Sequence, residues 1–232
     1  MIPGIINFRY IFKFSESETA VIDIKLDPAT LLLIQEPGKT APKWAELEFL
    51  KCHLCSYTVA DHKYCPIAFN LVEPIELFTN KESFNTVDVT VITGDRQYYK
   101  KTSLQTALSS LLGIYMTTSG CPVMEMLKPM VRYHLPFSSI DETTFRTTSM
   151  YLLGQFFRHM KGFTPDWELR KLQEAYARIG EVNRALVDRI GKACKKDANL
   201  NAIVILDVFA KTVPMSIEDT MKKLEYLFSG YF

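Results

Sequence analysis

Residues 51–74 read KCHLCSYTVADHKYCPIAFNLVEP, and this stretch decides how the chain is organised. Its first half places four potential metal ligands in a C-x2-C-x6-H-x2-C pattern: Cys52, Cys55, His62 and Cys65. Three thiols and one imidazole within fourteen residues are the ligands and the reach of a small tetrahedral zinc site. The second half opens with Pro66, which is favoured at the first position of a helix. The stretch therefore predicts a metal loop that leads directly into the first helix.

We interpret these ligands as a structural zinc site that fixes the loop between the N-terminal strands and the first helix. Bound zinc would contribute to folding, because the thiolates gather only in the folded chain. Other readings stay open. The cysteines could be reduced and metal-free, or the C-x2-C pair could be redox-active. Cys121, in the string TSGCP, could also replace His62 and give an all-cysteine set that suits an iron–sulfur cluster.

The segments on either side of the metal loop and first helix predict β structure. Apolar and polar residues alternate over residues 5–14, the string SESET indicates a turn, and a second alternating run follows at residues 21–26. Residues 87–101 predict a hairpin whose turn lies at Gly94 and Asp95. The first 100 residues are therefore expected to be rich in antiparallel strands.

From Ser103 onward the spacing of the apolar residues is helical. The pattern predicts one helix from Ser103, a central helix that starts at Ser139, and a long helix over residues 166–194. The long helix carries an apolar seam with one polar member, Asn183, which is typical of a helix that packs on other helices.

Two prolines are expected to interrupt helices. Pro74 should kink or end the first helix, and Pro214 should end an apolar helix that begins at residues 197–201. A final helix is then expected to start at a Ser216-x-x-Asp219 cap.

Together these patterns predict an α+β fold. A β-rich part with the Cys/His metal loop would occupy residues 1–100, and an all-α helical bundle would occupy residues 101–232.

The composition argues against several classes of protein. With 47% apolar and 23% charged residues in 232, the chain can bury a substantial core. A net charge of +1 gives no bulk reason to expect nucleic acid or an anionic membrane as a partner. The longest apolar run, AIVILDVFA, is much shorter than the about 20 residues that cross a membrane. The chain lacks a signal-peptide pattern and its five cysteines indicate a reducing compartment, so we expect a cytoplasmic protein.

Catalytic chemistry has one candidate pair. Cys121 could act as a nucleophile with His134, in the string RYHLPF, as its base, provided that the two lie close together in space. Phosphate-binding glycine loops, G-x-S-x-G and H-E-x-x-H are absent from the sequence. Asp207 lies inside an apolar helical segment and is expected to be exposed or paired with an arginine.

With these residues laid out, the chain resembles a family of uncharacterised bacterial proteins that share a domain of unknown function. The resemblance covers most of the chain and rests on the strings CHLC…HKYCPIAFNLVE, TSGCPVMEMLKPMVRYHLPF, TTSMYLLGQFF and NAIVILDVFAK. It implies no activity and no substrate.

From these residues we expect a non-catalytic zinc-binding protein that contacts another protein, or a second copy of itself, through its helical half. The alternatives are a thiol-dependent enzyme that uses Cys121 with His134, and an iron–sulfur redox or sensor protein.

Overall fold

A computed structural model of the chain describes residues 4–36, 38–192 and 197–232. Its N-terminal half contains one antiparallel sheet with the strand order β2-β1-β3-β4. The strands are β1 Ile6–Lys13, β2 Thr19–Leu26, β3 Thr86–Thr93 and β4 Arg96–Ser103. Six α-helices are described: α1 Pro66–Phe78, α2 Leu104–Thr117, α3 Lys128–Arg132, α4 Ile140–Met160, α5 Arg170–Gly191 and α6 Ala198–Leu224. The predicted α+β fold is confirmed.

One face of the sheet forms the floor of the core. Side chains alternate across a strand, so every second residue of β1, β2 and β3 points to the same face. The buried members are Phe8, Tyr10, Phe12, Ile22, Ile24, Leu26, Val87, Val89 and Val91. These side chains share one apolar cluster with residues from α1, α2, α5 and α6. The sheet and the helices are therefore joined by a common core.

The β3–β4 hairpin turns where the sequence predicts. Thr93 pairs with Arg96, which leaves Gly94 and Asp95 as a two-residue loop. Gly94 has a φ of +51°, a left-handed conformation that glycine adopts without a Cβ clash.

Helix α4 begins as its sequence predicts, with Ser139 at the N-cap. The Glu142 N–H donates to Ser139 Oγ at 3.2 Å, and the Ser139 N–H donates to the Glu142 carboxylate at 2.7 Å. This reciprocal pair satisfies two backbone donors that the first turn leaves without helical partners. Helix α5 is shorter than predicted, because it begins at Arg170 after Leu169 takes a left-handed φ of +63°. The predicted end of this helix, at residues 193–196, lies outside the described residues.

The predicted break at Pro214 is wrong. Helix α6 runs without interruption from Ala198 to Leu224, so no separate helix starts at a Ser216-x-x-Asp219 cap. Val213 and Ile217 lie on either side of the proline and are both buried in the core. Packing of both turns thus outweighs the about 3 kcal/mol that an internal proline costs. Pro74 likewise lies inside α1 without ending it.

Helix α6 lies at the centre of the helical half, where it contacts α2, α4 and α5. Its stretch Ala198–Met215 is long and apolar enough to cross a membrane, and 39% of that stretch is buried inside the protein. Asp207 interrupts the stretch and pairs with Arg184 at 3.5 Å, which confirms the predicted arginine partner. Length and composition alone do not separate a membrane helix from the central helix of a bundle.

Candidate metal centre

Four cysteines from three separate parts of the chain line one small cavity. The cavity has a volume of about 40 Å³, and its cysteines are Cys52, Cys55, Cys65 and Cys121. All four are free thiols at intermediate burial. The remaining wall is mainly apolar, with Leu54, Val182 and Leu186 among its members.

A compact loop positions the first two thiols. The Cys55 N–H donates to the Cys52 carbonyl at 2.9 Å, which closes the C-x2-C segment into a tight turn. Two further backbone hydrogen bonds join the segment at residues 45–47 to the segment at residues 63–65. The Leu47 N–H donates to the Lys63 carbonyl at 3.0 Å, and the Cys65 N–H donates to the Ala45 carbonyl at 3.0 Å. These bonds place Cys65 beside the turn that carries the other two sulfurs.

Cys65 and Cys121 have the same local surroundings. Each precedes a proline, and the backbone N–H groups of the two residues after that proline act to lower the pKa of the thiol. The donors are the N–H groups of Ile67 and Ala68 for Cys65, and of Val123 and Met124 for Cys121. Such donors favour a thiolate over a thiol, because they stabilise the negative charge on sulfur.

Tyr57 holds the cysteine loop against the segment that carries Cys121. Its hydroxyl donates to the Gly120 carbonyl at 2.9 Å. The same ring contacts the imidazole of His62, with 3.9 Å between the two centroids. His62 does not line the cysteine cavity; it lines a surface groove together with Asp61 and Lys63. The structure thus brings Cys121 to the other three cysteines and places His62 on the far side of Tyr57.

A buried cation lies next to the thiols. Arg189 of α5 is 2% exposed and lines the cavity. Its Nη1 donates to the carbonyls of Trp44 and Glu46, both at 2.7 Å, and its Nη2 lies 3.4 Å from the carbonyls of Leu47 and Leu50. These partners are neutral, and no carboxylate pairs with Arg189 among the described residues.

Charge on the thiols and charge on Arg189 are coupled. Burial lowers the pKa of the Arg189 guanidinium, whereas the sulfurs of Cys65, Cys55 and Cys52 act to raise it. Burial also raises the pKa of Cys65, and it raises the pKa of Cys121 to about 11. Without a bound metal these two thiols are therefore neutral, and the buried cation has no counter-charge. A bound metal would keep the sulfurs ionised, and the net negative charge of the thiolate ligands would then be the counter-charge to Arg189.

The shape of the site bears on which metal fits. A tetrahedral zinc with Zn–S bonds of about 2.3 Å needs sulfurs about 3.8 Å apart. Across residues 4–36, 38–192 and 197–232, no group of three or more His, Cys, Asp or Glu side chains is close enough to hold a metal ion. The cavity between the four thiols also exceeds the roughly 10–15 Å³ that one water requires. The zinc set with His62 stays a prediction.

Arg189 is the site residue that the sequence did not point to. In the sequence it belongs to a basic run near the end of a long helix, where cations are expected because of the helix dipole. The available signal was its position: Arg189 adjoins Ile190 and lies three residues after Leu186, so it falls on the apolar face of α5. A cation on a buried face needs a partner, and that requirement indicates a site.

The proposed nucleophile and base are not brought together. Cys121 lines the cysteine cavity, whereas His134 lines a different cavity and lies 2.7 Å from the Tyr10 hydroxyl through its Nε2. Burial lowers the pKa of His134 to about 3, so its imidazole is a poor base at neutral pH. The geometry gives the thiol-dependent enzyme no support.

The fold and the site define a class: an α+β protein in which a four-cysteine cavity lies between a β-rich half and a helical half. The family model described as domain of unknown function DUF6901 matches residues 8–229, and the chain belongs to this family. No curated protein and no solved structure matches the chain.

Proposed function

We propose that this protein binds an iron–sulfur cluster through Cys52, Cys55, Cys65 and Cys121 and works as a redox or sensor protein. One observation carries the proposal: four thiols from three chain segments line a single cavity of about 40 Å³. Four cysteine thiolates are the ordinary ligands of such clusters, and the Cys-Pro pairs at residues 65–66 and 121–122 resemble a common cluster-binding motif.

The buried cation supports the same proposal. A cluster held by four thiolates is an anion, and Arg189 offers a positive charge beside it that no described carboxylate neutralises. A neighbouring guanidinium favours the more negative, reduced state of a cluster and so raises its reduction potential. Arg189 would therefore raise the reduction potential of the cluster and also hold the loop around it.

The wall of the cavity supports a redox role. Leu54, Val182 and Leu186 line the site, and nearby backbone N–H groups act to lower the pKa of the Cys65 and Cys121 thiols. Shielding and hydrogen bonds to sulfur are the two features by which proteins set a cluster's potential. The proposal also requires a reducing compartment, in keeping with the expected cytoplasmic location.

The second candidate is the zinc protein with partner contacts. Its support is the tight C-x2-C turn and the exposed apolar side chains at the C-terminal end of α4, where Phe157 is 55% and Met160 is 67% exposed. Exposed apolar residues on neighbouring turns are typical of protein contact surfaces. In this candidate zinc stabilises the loop, and the helical half binds another protein or a second copy.

Anaerobic purification with metal analysis separates these candidates. We expect a brown protein that contains iron and acid-labile sulfide and absorbs visible light. A colourless protein with one zinc per chain and no iron would contradict the cluster. Reduction of the cluster by dithionite, followed by visible bleaching, tests the redox role separately from binding.

Two variants identify the ligands. Cys121→Ser should lose the cluster, because the fourth thiolate is missing, while His62→Gln should keep it, because His62 lies outside the cavity. Metal that is retained by Cys121→Ser and lost by His62→Gln would instead restore the zinc set of Cys52, Cys55, His62 and Cys65. Circular dichroism of each variant shows whether a loss of metal reflects a loss of fold.

A further inference from the structure

A second, larger cavity lies inside the helical half, away from the four cysteines. Its volume is about 170 Å³, and its walls come from α2, α4, α5, α6 and the chain around α3. Most of the lining is apolar, including Ile114, Leu127, Val131, Ile179 and Phe209. An engineered apolar cavity of about 150 Å³ in another protein binds benzene, so this cavity is large enough for one substituted aromatic ring.

A cation lines one part of this cavity. Nη2 of Arg146 donates to the carbonyls of Met130 at 2.9 Å and Tyr133 at 2.8 Å. Within the described part of the chain, Nε and Nη1 of Arg146 have no hydrogen-bond partner, and no carboxylate forms an ion pair with the guanidinium. A partly buried guanidinium with free donors favours a carboxylate as its partner.

A buried hydrogen-bond acceptor that has no described partner lines another part of this cavity. Asn183 of α5 is 1% exposed, and its Oδ1 makes no hydrogen bond to any residue that the structure describes. Leaving such an acceptor unpaired costs about 1–3 kcal/mol, so its presence in a cavity wall requires an explanation. A ligand hydroxyl that donates to Oδ1 would satisfy it.

Arg146 and Asn183 line the same cavity, and Tyr176 is a third polar residue of its wall. Tyr176 interacts electrostatically with Arg146 and lies on the same face of α5 as Asn183, seven residues earlier. Seven helical residues span about 10 Å. Tyr176 and Asn183 are therefore two helical turns apart, so the polar groups of the wall are not gathered at one point.

We propose that this cavity binds a small aromatic carboxylate that also carries a hydroxyl group. The carboxylate pairs with the Arg146 guanidinium, the ring packs against Ile114, Val131 and Ile179, and the hydroxyl donates to Asn183 Oδ1. This site is separate from the cysteine cavity and does not rest on the metal centre.

Isothermal titration of the full chain with 4-hydroxybenzoate tests the proposal. Benzoate lacks the hydroxyl and 4-hydroxybenzyl alcohol lacks the charge, so each should bind at least about tenfold more weakly. Equal affinity for all three molecules, or no binding of 4-hydroxybenzoate at millimolar concentration, would overturn the proposal.

Two variants locate the site. Ala210→Leu adds volume to a buried residue in the cavity wall and should abolish binding, whereas Val208→Leu changes an exposed position on the same helix and should leave the affinity unchanged. Asn183→Leu should bring the affinity for 4-hydroxybenzoate down to that for benzoate. Thermal unfolding of each variant verifies its fold. If Asn183→Leu does not fold, the comparison of the three ligands and the Ala210→Leu variant still test the proposal. Undiminished binding of 4-hydroxybenzoate by a folded Ala210→Leu would refute the proposal.

Discussion

Arg189 connects the loop around the four cysteines to the helical half through a single side chain. Replacing it with methionine keeps much of the apolar stem but removes the guanidinium hydrogen bonds to the carbonyls of Trp44 and Glu46, of which Glu46 keeps a backbone donor, the Phe49 N–H. We expect Arg189→Met to lower the free energy of unfolding by about 2–4 kcal/mol, the range for leaving buried groups unsatisfied. Urea titration measures the change.

Arg178→Met is the matched control, because Arg178 lies on the exposed face of the same helix. It should change the free energy of unfolding by less than about 0.5 kcal/mol. Similar losses in the two variants would mean that Arg189 acts through the net charge of α5 and not through the loop carbonyls.

His134 gives the protein a pH dependence. Its ring is buried against Phe8 and Tyr10, with Arg146 as the charged group that acts on it. Burial and that cation lower its pKa from 6.5 to about 3, so the folded protein keeps the ring neutral while the unfolded chain takes up a proton below pH 6.5. The contribution of His134 to the free energy of unfolding is therefore constant above pH 7. It falls as the pH drops, by up to about 2 kcal/mol at pH 5.

His134→Gln should remove this component. The comparison is the loss of unfolding free energy between pH 7.5 and pH 5, which should be smaller in the variant than in the unchanged chain. The variant also loses a hydrogen bond with Tyr10 at 2.7 Å, so its stability at pH 7.5 is lower as well. An equal pH slope in both proteins would contradict the buried, neutral imidazole.

Sequence spacing grouped Cys52, Cys55 and Cys65 and offered Cys121 as an alternative to His62, and the structure places Cys121 in the same cavity as the three cysteines. Cys52, Cys55 and Cys65 lie within one local segment, so their proximity follows from short loops. His62 belongs to the same segment, but its ring packs on Tyr57 and faces a surface groove. Cys121 reaches the cavity only because α1 and α2 pack together, and no local pattern encodes that contact.

At the scale of single elements, α4 offers a test of helix propensity. Gly154 lies in the middle of this helix, is exposed, and has no atom within 4 Å of the place where a Cβ would lie. Gly154→Ala should stabilise the protein by about 0.5–1 kcal/mol, because alanine restricts the unfolded chain and favours helix. Thermal or urea unfolding measures the gain.

Gly162, just after the same helix, is the control for this change. It has equally open surroundings but a φ of +78°, which a residue with a Cβ adopts at a cost. Gly162→Ala should therefore destabilise the protein by roughly 1 kcal/mol. If both substitutions stabilise, the left-handed turn after α4 is not required by the fold.

Local rules predicted the starts of helices better than their ends. Ser139 caps α4 through contacts within four residues, so its role was visible in the sequence. Pro214 was expected to end a helix, yet α6 continues because Val213 and Ile217 are held in a core built by other elements. The balance between a proline's cost and distant packing is a tertiary property that a local pattern does not contain.

At the scale of the whole molecule, the apolar core crosses the predicted boundary near residue 100. Phe8, Tyr10 and Phe12 of β1 belong to the same buried cluster as Leu108 of α2 and Ile203 of α6. Elements that share one core unfold together. We expect one unfolding transition for the whole chain, with coincident midpoints for far-ultraviolet circular dichroism and for tryptophan fluorescence.

Removing the proposed cluster should shift that transition without splitting it. The four thiols join the 44–65 loop, the start of α1 and the segment after α2, and a ligand that binds only the folded state stabilises all parts that unfold with it. Chelation under reducing conditions should lower the midpoint temperature of both probes by the same amount, and reconstitution should restore it. Trp44 lies in the loop and Trp167 lies between α4 and α5, so both probes are recorded on a Trp167→Phe variant, in which fluorescence reports the loop and circular dichroism reports mainly the helices. A shift confined to fluorescence would mean that the centre stabilises the loop alone and that the loop unfolds independently of the common core.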